Sequence, residues 1–89
     1  MIKPIMLKNM TQKEMRINVA NNLRYIRKEL NTTRVKMAEG LGINEKSFAA
    51  SEEARAINLE LVFNMARHTK VSMDTLLTTD MSKGGQENE

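Results

Sequence analysis

The sequence predicts an all-α fold of five helices. Three observations carry the prediction. Apolar residues recur at intervals of three and four, a capping side chain stands ahead of each such run, and strand signals are missing. The one proline is Pro4 and the four glycines are Gly40, Gly42, Gly84 and Gly85, with no Asn-Gly hairpin and few alternating β-branched runs.

The first helix is the most clearly marked. Met15, Val19, Leu23, Ile26 and Leu30 form one stripe at intervals of four, four, three and four. Thr11 and Glu14 ahead of it have the spacing of a capping box, and Asn31 tolerates the left-handed conformation that closes a helix. Thr33 caps a second helix over 34–41, with Met37, Ala38 and Leu41 inward and Gly42 as its stop. Asn44 caps a third over 45–53, anchored by Phe48. Asn58 caps a fourth, in which Leu59, Val62, Phe63 and Ala66 are expected to face the core and Leu61 to lie off that stripe. Ser72 caps a fifth, with Met73, Leu76 and Leu77 inward. The organisation expected is an N-terminal extension over 1–16, one helical domain over 17–80 and a disordered tail over 81–89, where the composition turns to Lys, Gly, Gln, Asn and Glu.

Composition narrows the chemistry. Eighty-nine residues supply one core at most. No cysteine is present and His68 is the single histidine, so thiolate sites, disulfides and histidine-based metal clusters are excluded and no metal or cofactor is expected. No nucleophile, base and oxyanion donors assemble into a constellation, so the expectation is a protein that is not an enzyme. No apolar stretch is long enough to span a membrane, and Lys3 and Lys8 interrupt the start where a signal peptide needs its apolar run, which makes a cytoplasmic protein the expectation. His68 sits where a cation complements a helix C-terminus, and Tyr25 is too isolated to make a stacking platform for RNA.

The second and third helices, joined by a tight link at Gly42-Ile43, have the spacing of a helix-turn-helix over about 34–53. Around that unit Asn22-Leu23-Arg24-Tyr25-Ile26-Arg27, Met37-Ala38-Glu39-Gly40-Leu41-Gly42-Ile43, Glu52-Glu53-Ala54-Arg55-Ala56 and Val71-Ser72-Met73-Asp74-Thr75-Leu76-Leu77 follow in order. Together they resemble the phage-repressor-like helix-turn-helix regulators (Cro/C1 type, the XRE family) over about 18–80. The resemblance implies a five-helix lambda-repressor-like DNA-binding domain, a cytoplasmic homodimer, double-stranded DNA as partner and repression of transcription as the usual outcome.

Roles carried over position by position define a DNA-binding set. Arg34 stands where the family places a phosphate contact at the start of the second helix, and Asn44 where a residue both caps the recognition helix and reaches the backbone. Glu45, Lys46, Ser47, Ala49 and Ala50 are the recognition-helix positions turned towards DNA. There Lys46 suits guanine O6/N7, Glu45 cytosine N4 and Ala49 a thymine methyl. Arg55 joins Arg34 on phosphates. Arg27 and Glu52 match an ion pair that holds the recognition helix against the first helix. The chain departs from the family pattern at Ala54, where glycine is preferred, and at Glu53, a carboxylate where others approach phosphate.

Charge is unevenly spread. Residues 1–30 hold seven basic and two acidic side chains, residues 31–56 four of each, and residues 57–89 three basic and five acidic. The positive field therefore comes from the N-terminal segment and first helix, not from the reading unit. Met1, Ile2, Ile5, Met6, Leu7 and Met10 make the extension apolar as well as basic, so residues 1–16 are expected to pack on a second subunit, with Leu61 contributing to the same surface. The neutral reading unit and apolar extension also suit an alternative, an antitoxin-like or regulatory module that uses the fold to bind a protein partner.

Overall fold

The computed structural model describes residues 10–83. Among them the chain forms five α-helices, α1 (Gln12–Leu30), α2 (Arg34–Leu41), α3 (Glu45–Glu52), α4 (Leu59–Thr69) and α5 (Met73–Thr78), then a 3-10 turn at Met81–Lys83. The all-α, five-helix architecture is the one the sequence predicts. No helix among the described residues is long and apolar enough to cross a membrane, and none of their acidic and histidine side chains cluster as metal ligands.

Each helix starts where a side chain satisfies its orphan N–H groups. Thr11 and Glu14 form the complete reciprocal box at α1, where the Glu14 carboxylate accepts from Thr11 N at 2.8 Å and Thr11 Oγ1 accepts from Glu14 N at 3.1 Å. Thr33, Asn44, Asn58 and Ser72 cap α2 to α5 in the same manner. Because α1 begins at Gln12, residues 12–16 of the expected extension are helical. Residues 1–9, with Lys3, Lys8 and most of the apolar extension, lie outside the described residues.

α1 is the spine, packing against α3, α5 and the terminal turn, while α2 packs on α3 and α4 and α4 on α5. The core joins Val19, Leu23 and Ile26 of α1 to Met37, Ala38 and Leu41 of α2, Phe48 of α3, Leu61, Val62 and Met65 of α4 and Leu76 of α5. Phe48 and Leu61 are wholly buried. Burial of that kind contributes about 1.5–3 kcal/mol per large side chain.

Three expectations are corrected. The buried stripe of α4 is Leu61, Val62 and Met65, whereas Leu59 is 62% exposed and Phe63 49%. Two apolar stripes overlap on this helix, and contact with α2 and α5 selects the one containing Leu61. Leu61 therefore belongs to the core and not to a subunit surface; Phe63 instead lies beneath the Arg67 guanidinium, 5.7 Å from the ring centre. Leu30, at the last turn of α1, is 63% exposed because the helix outruns its partners there.

The third correction concerns the tail. Met81–Lys83 forms a 3-10 turn, and three asparagines of α1 grip the last turn of α5 and the chain after it. Asn22, buried, donates through Nδ2 to the carbonyls of Leu76 at 2.9 Å and Thr79 at 2.8 Å, and its Oδ1 accepts from Met81 N at 2.6 Å. Asn18 donates to Leu77 O at 3.0 Å and Asn21 to Asp80 Oδ2 at 2.9 Å. Residues 84–89 of the expected tail lie outside the described residues.

Candidate nucleic-acid interface

The site begins with a short turn that fixes how α3 leaves α2. Gly42 adopts φ 69°, and Gly42 N and Ile43 N donate back to Glu39 O and Ala38 O, closing α2. Ile43 then precedes the Asn44 cap, with Phe48 five residues on, the placing of a hydrophobic staple; both side chains are buried. The turn is thus held by backbone bonds on one side and by core burial on the other. A second helix-to-helix bond, Asn64 Nδ2 to Leu41 O at 2.9 Å, satisfies the last carbonyl of α2 from α4.

α3 has two distinct faces. Phe48, Ser51 and Glu52 are buried, and Asn44, Glu45 and Lys46 are exposed, with Ser47, Ala49 and Ala50 half-buried between them. The structure brings all six sequence-predicted positions from Asn44 to Ala50 onto one helix. Asn44 Oδ1 accepts from Lys46 N at 2.7 Å and Ser47 N at 3.4 Å, so its carbonyl is engaged in capping and its Nδ2 remains as donor. Glu45 lies in the first turn, where a carboxylate complements the helix dipole.

Behind α3 lies an arginine–carboxylate cluster larger than the single pair the sequence suggests. The expected pair is present: Arg27 Nε lies 2.7 Å from Glu52 Oε2 and its Nη2 donates to Oε1 at 3.3 Å. Glu52 is fully buried and also accepts from Arg34 Nε at 2.5 Å. Arg24 Nη1 donates to the backbone carbonyl of the same residue, one of the C-terminal carbonyls that α3 leaves open. One carboxylate thereby ties α1, α2 and α3 together. Removing it would leave two guanidinium groups without their buried partner, the situation in which a buried pair matters most.

A second, outer layer follows. Glu53 Oε2 accepts from Arg34 Nη1 at 3.1 Å and Glu53 Oε1 from Arg55 Nε at 3.0 Å. The hydrogen bonds from Arg55 and then Arg34 hold the Glu53 carboxyl below its ordinary value, and the bonds to Glu52 and then Glu53 raise Arg34 above its own. The backbone places Arg55 there. Ala54 N donates to Ser51 O and Arg55 N to Ala50 O, the paired bonds of a Schellman motif, with Ala54 at φ 62°. The departure from glycine at this position therefore coincides with a left-handed backbone, which costs a residue with a Cβ about 1–2 kcal/mol.

Of the expected phosphate contacts, Arg34 and Arg55 are both engaged within the protein. Sequence reasoning missed Arg24, the role of Arg34 in the buried clamp and the whole asparagine grip. The local signal on the first helix was a set of amides and arginines spread around it, with nothing to mark their partners. Comparison with protein-family models, with curated proteins and with solved structures returns no match for this chain.

Proposed function

We propose that the chain is a sequence-specific regulator that binds double-stranded DNA, acting as a homodimer to repress transcription at a palindromic operator. The observation that supports this reading is the division of α3. Its inner face is pinned by Phe48 and the Glu52 clamp, while Asn44, Glu45 and Lys46 project from its N-terminal end. A helix held from behind with a polar end that is exposed among the described residues is what major-groove reading needs, and two-fold symmetry would set two such helices ~34–36 Å apart. Lys46 and Glu45 then discriminate bases, Ala49 meets a thymine methyl, and Asn44, Ser47, Arg34 and Arg55 serve the backbone.

The test is the affinity of the full chain for random-sequence duplex against salt concentration, with the oligomer mass measured in parallel. A dimer whose log K falls linearly, with a slope equivalent to several neutralised phosphates, is the expected result. Lys46→Ala is then expected to reduce discrimination by about 1–3 kcal/mol at one base pair. An equal loss on every sequence would assign Lys46 to phosphate instead.

A second reading has its own support. Residues 31–56 carry no net charge, and Glu53 engages Arg34 and Arg55, the two arginines expected on phosphates. These features suit an antitoxin-like or regulatory module whose α3 face meets a protein. A weak, salt-independent response to duplex DNA would select it.

A further inference from the structure

Four arginines and two glutamates meet where α1, α2 and the end of α3 converge, an excess of two positive charges. The two carboxylates hold them differently. Glu52 is wholly buried and uses both oxygens on Arg27 and Arg34, so no ion from solvent can replace it. Glu53 has a side chain 43% exposed and bonds only the outward donors, Arg34 Nη1 and Arg55 Nε. Arg34 is meanwhile anchored through Nε on the buried carboxylate, which fixes its plane whatever happens to Glu53. Arg55 is placed by the Schellman turn through backbone bonds that do not involve Glu53's side chain. One guanidinium is therefore held independently of Glu53, the other is brought within reach by the backbone turn with its side chain 62% exposed, and an exchangeable anion lies between them.

We propose that Arg34 and Arg55 form an anion site for a backbone phosphodiester of duplex DNA, and that Glu53 occupies this site in the free protein as an internal stand-in for the phosphate. The proposal rests on the DNA-binding reading above and names how one of its contacts is regulated. A phosphate oxygen pair presents the acceptor geometry a carboxylate does, so exchange keeps both arginines hydrogen-bonded. Glu53 is displaced only where a phosphate of higher local concentration competes, as along a duplex. In the free protein it screens the positive cluster and keeps non-specific affinity low. On DNA the displaced carboxylate becomes a like charge beside phosphate, a standing cost to binding.

The test compares the full-length protein with Glu53→Gln and Glu53→Ala on a random-sequence duplex, across salt concentrations. Both variants are expected to bind about tenfold more tightly at low salt, with a salt slope steeper by about one to two phosphate equivalents. Adding Arg55→Gln to Glu53→Gln should return most of the gain, because the released guanidinium is its source. Thermal melts of each variant verify that the fold is intact, and agreement between Gln and Ala separates loss of the carboxylate from a local packing change. If the wild type binds DNA and neither Glu53 variant tightens it, the stand-in is overturned while the DNA reading stands. If neither wild type nor variants bind duplex at any salt, the DNA reading fails and takes this inference with it.

Discussion

α1 carries two clasps within three turns of one another, and they are built from opposite chemistry. Towards its N-terminal half, Asn18, Asn21 and Asn22 hold the last turn of α5 and the chain after it through neutral amides. Towards its C-terminal half, Arg24 and Arg27 hold the end of α3 through a buried carboxylate and a backbone carbonyl. A primary amide both donates and accepts, so Asn22 satisfies two carbonyls and an N–H with no charge to desolvate. The ionic clasp touches the neutral one where Arg24 Nη2 donates to Asn21 Oδ1, and its outward donors lie on Arg34 and Arg55. The first arrangement only closes the fold. The second closes it and offers a place for an anion at the C-terminal end of α3.

The largest expected effect tests the neutral clasp. Asn22→Leu keeps the branch at Cγ but puts methyl groups where polar atoms sit 2.6–2.9 Å from their partners, strands the carbonyls of Leu76 and Thr79 and the N–H of Met81, and should lower stability by about 3–4 kcal/mol in denaturant titration. The loss should not change with salt. A loss below about 1 kcal/mol would show that water replaces these bonds and that the clasp is ornamental.

Glu52→Gln tests the ionic clasp. It keeps the shape, removes the charge shared by Arg27 and Arg34, and is expected to cost about 3 kcal/mol, the low end for a broken buried pair because both arginines reach solvent. Its amide cannot accept at both ends, so the chemical shifts of α3 should move more than those of α5. If α5 moved as much, the two clasps would not be independent.

A gain is expected at Ala54. Replacing it by glycine relieves the left-handed strain that follows α3 and should raise stability by about 0.5–1 kcal/mol, in spite of the looser unfolded chain. A decrease would mean that the Cβ of Ala54 supports the turn that carries Arg55.

The smallest effect is the response to acid, and it samples both regions. Glu53 is held low by Arg55 and Arg34. At Asp80 burial pushes the carboxyl up, but hydrogen bonds from Ser82 and Asn21 and the charge of Lys83 outweigh it, and the net displacement is downward. In both cases the unfolded chain takes up the proton more readily than the folded one. The stabilisation is therefore complete above the ordinary values of 4.5 and 3.8 and is lost as the pH falls through the lower folded values. Melting temperature should be level near pH 6 and decline below about pH 4, and Glu53→Gln should remove part of that decline. A profile unchanged by the substitution would leave Glu53 without a role in the folded state.

The helix starts were readable from single residues. Thr11, Thr33, Asn44, Asn58 and Ser72 each satisfy N–H groups two or three positions ahead, an interaction complete within one turn of chain. The stops at Asn31 and Gly42 are local in the same sense, since a left-handed backbone depends on the residue that adopts it. The inner faces of α2 and α3 followed as well, because Met37, Ala38, Leu41 and Phe48 have no competing stripe. The Arg27–Glu52 pair was expected from a resemblance and not from spacing.

What the sequence by itself determined, then, is the number, order and capping of the helices, because those depend on interactions within a few residues. Only the tertiary structure decided which stripe of α4 is buried, since Leu59 and Leu61 head two apolar faces and the neighbouring helices choose between them. It likewise decided that Asn22 meets residues 54 to 59 positions away and that Arg34 turns inward to Glu52. A polar side chain has no periodicity that announces its partner. Its partner is set by which elements the core brings together, and that is a property of the packed chain.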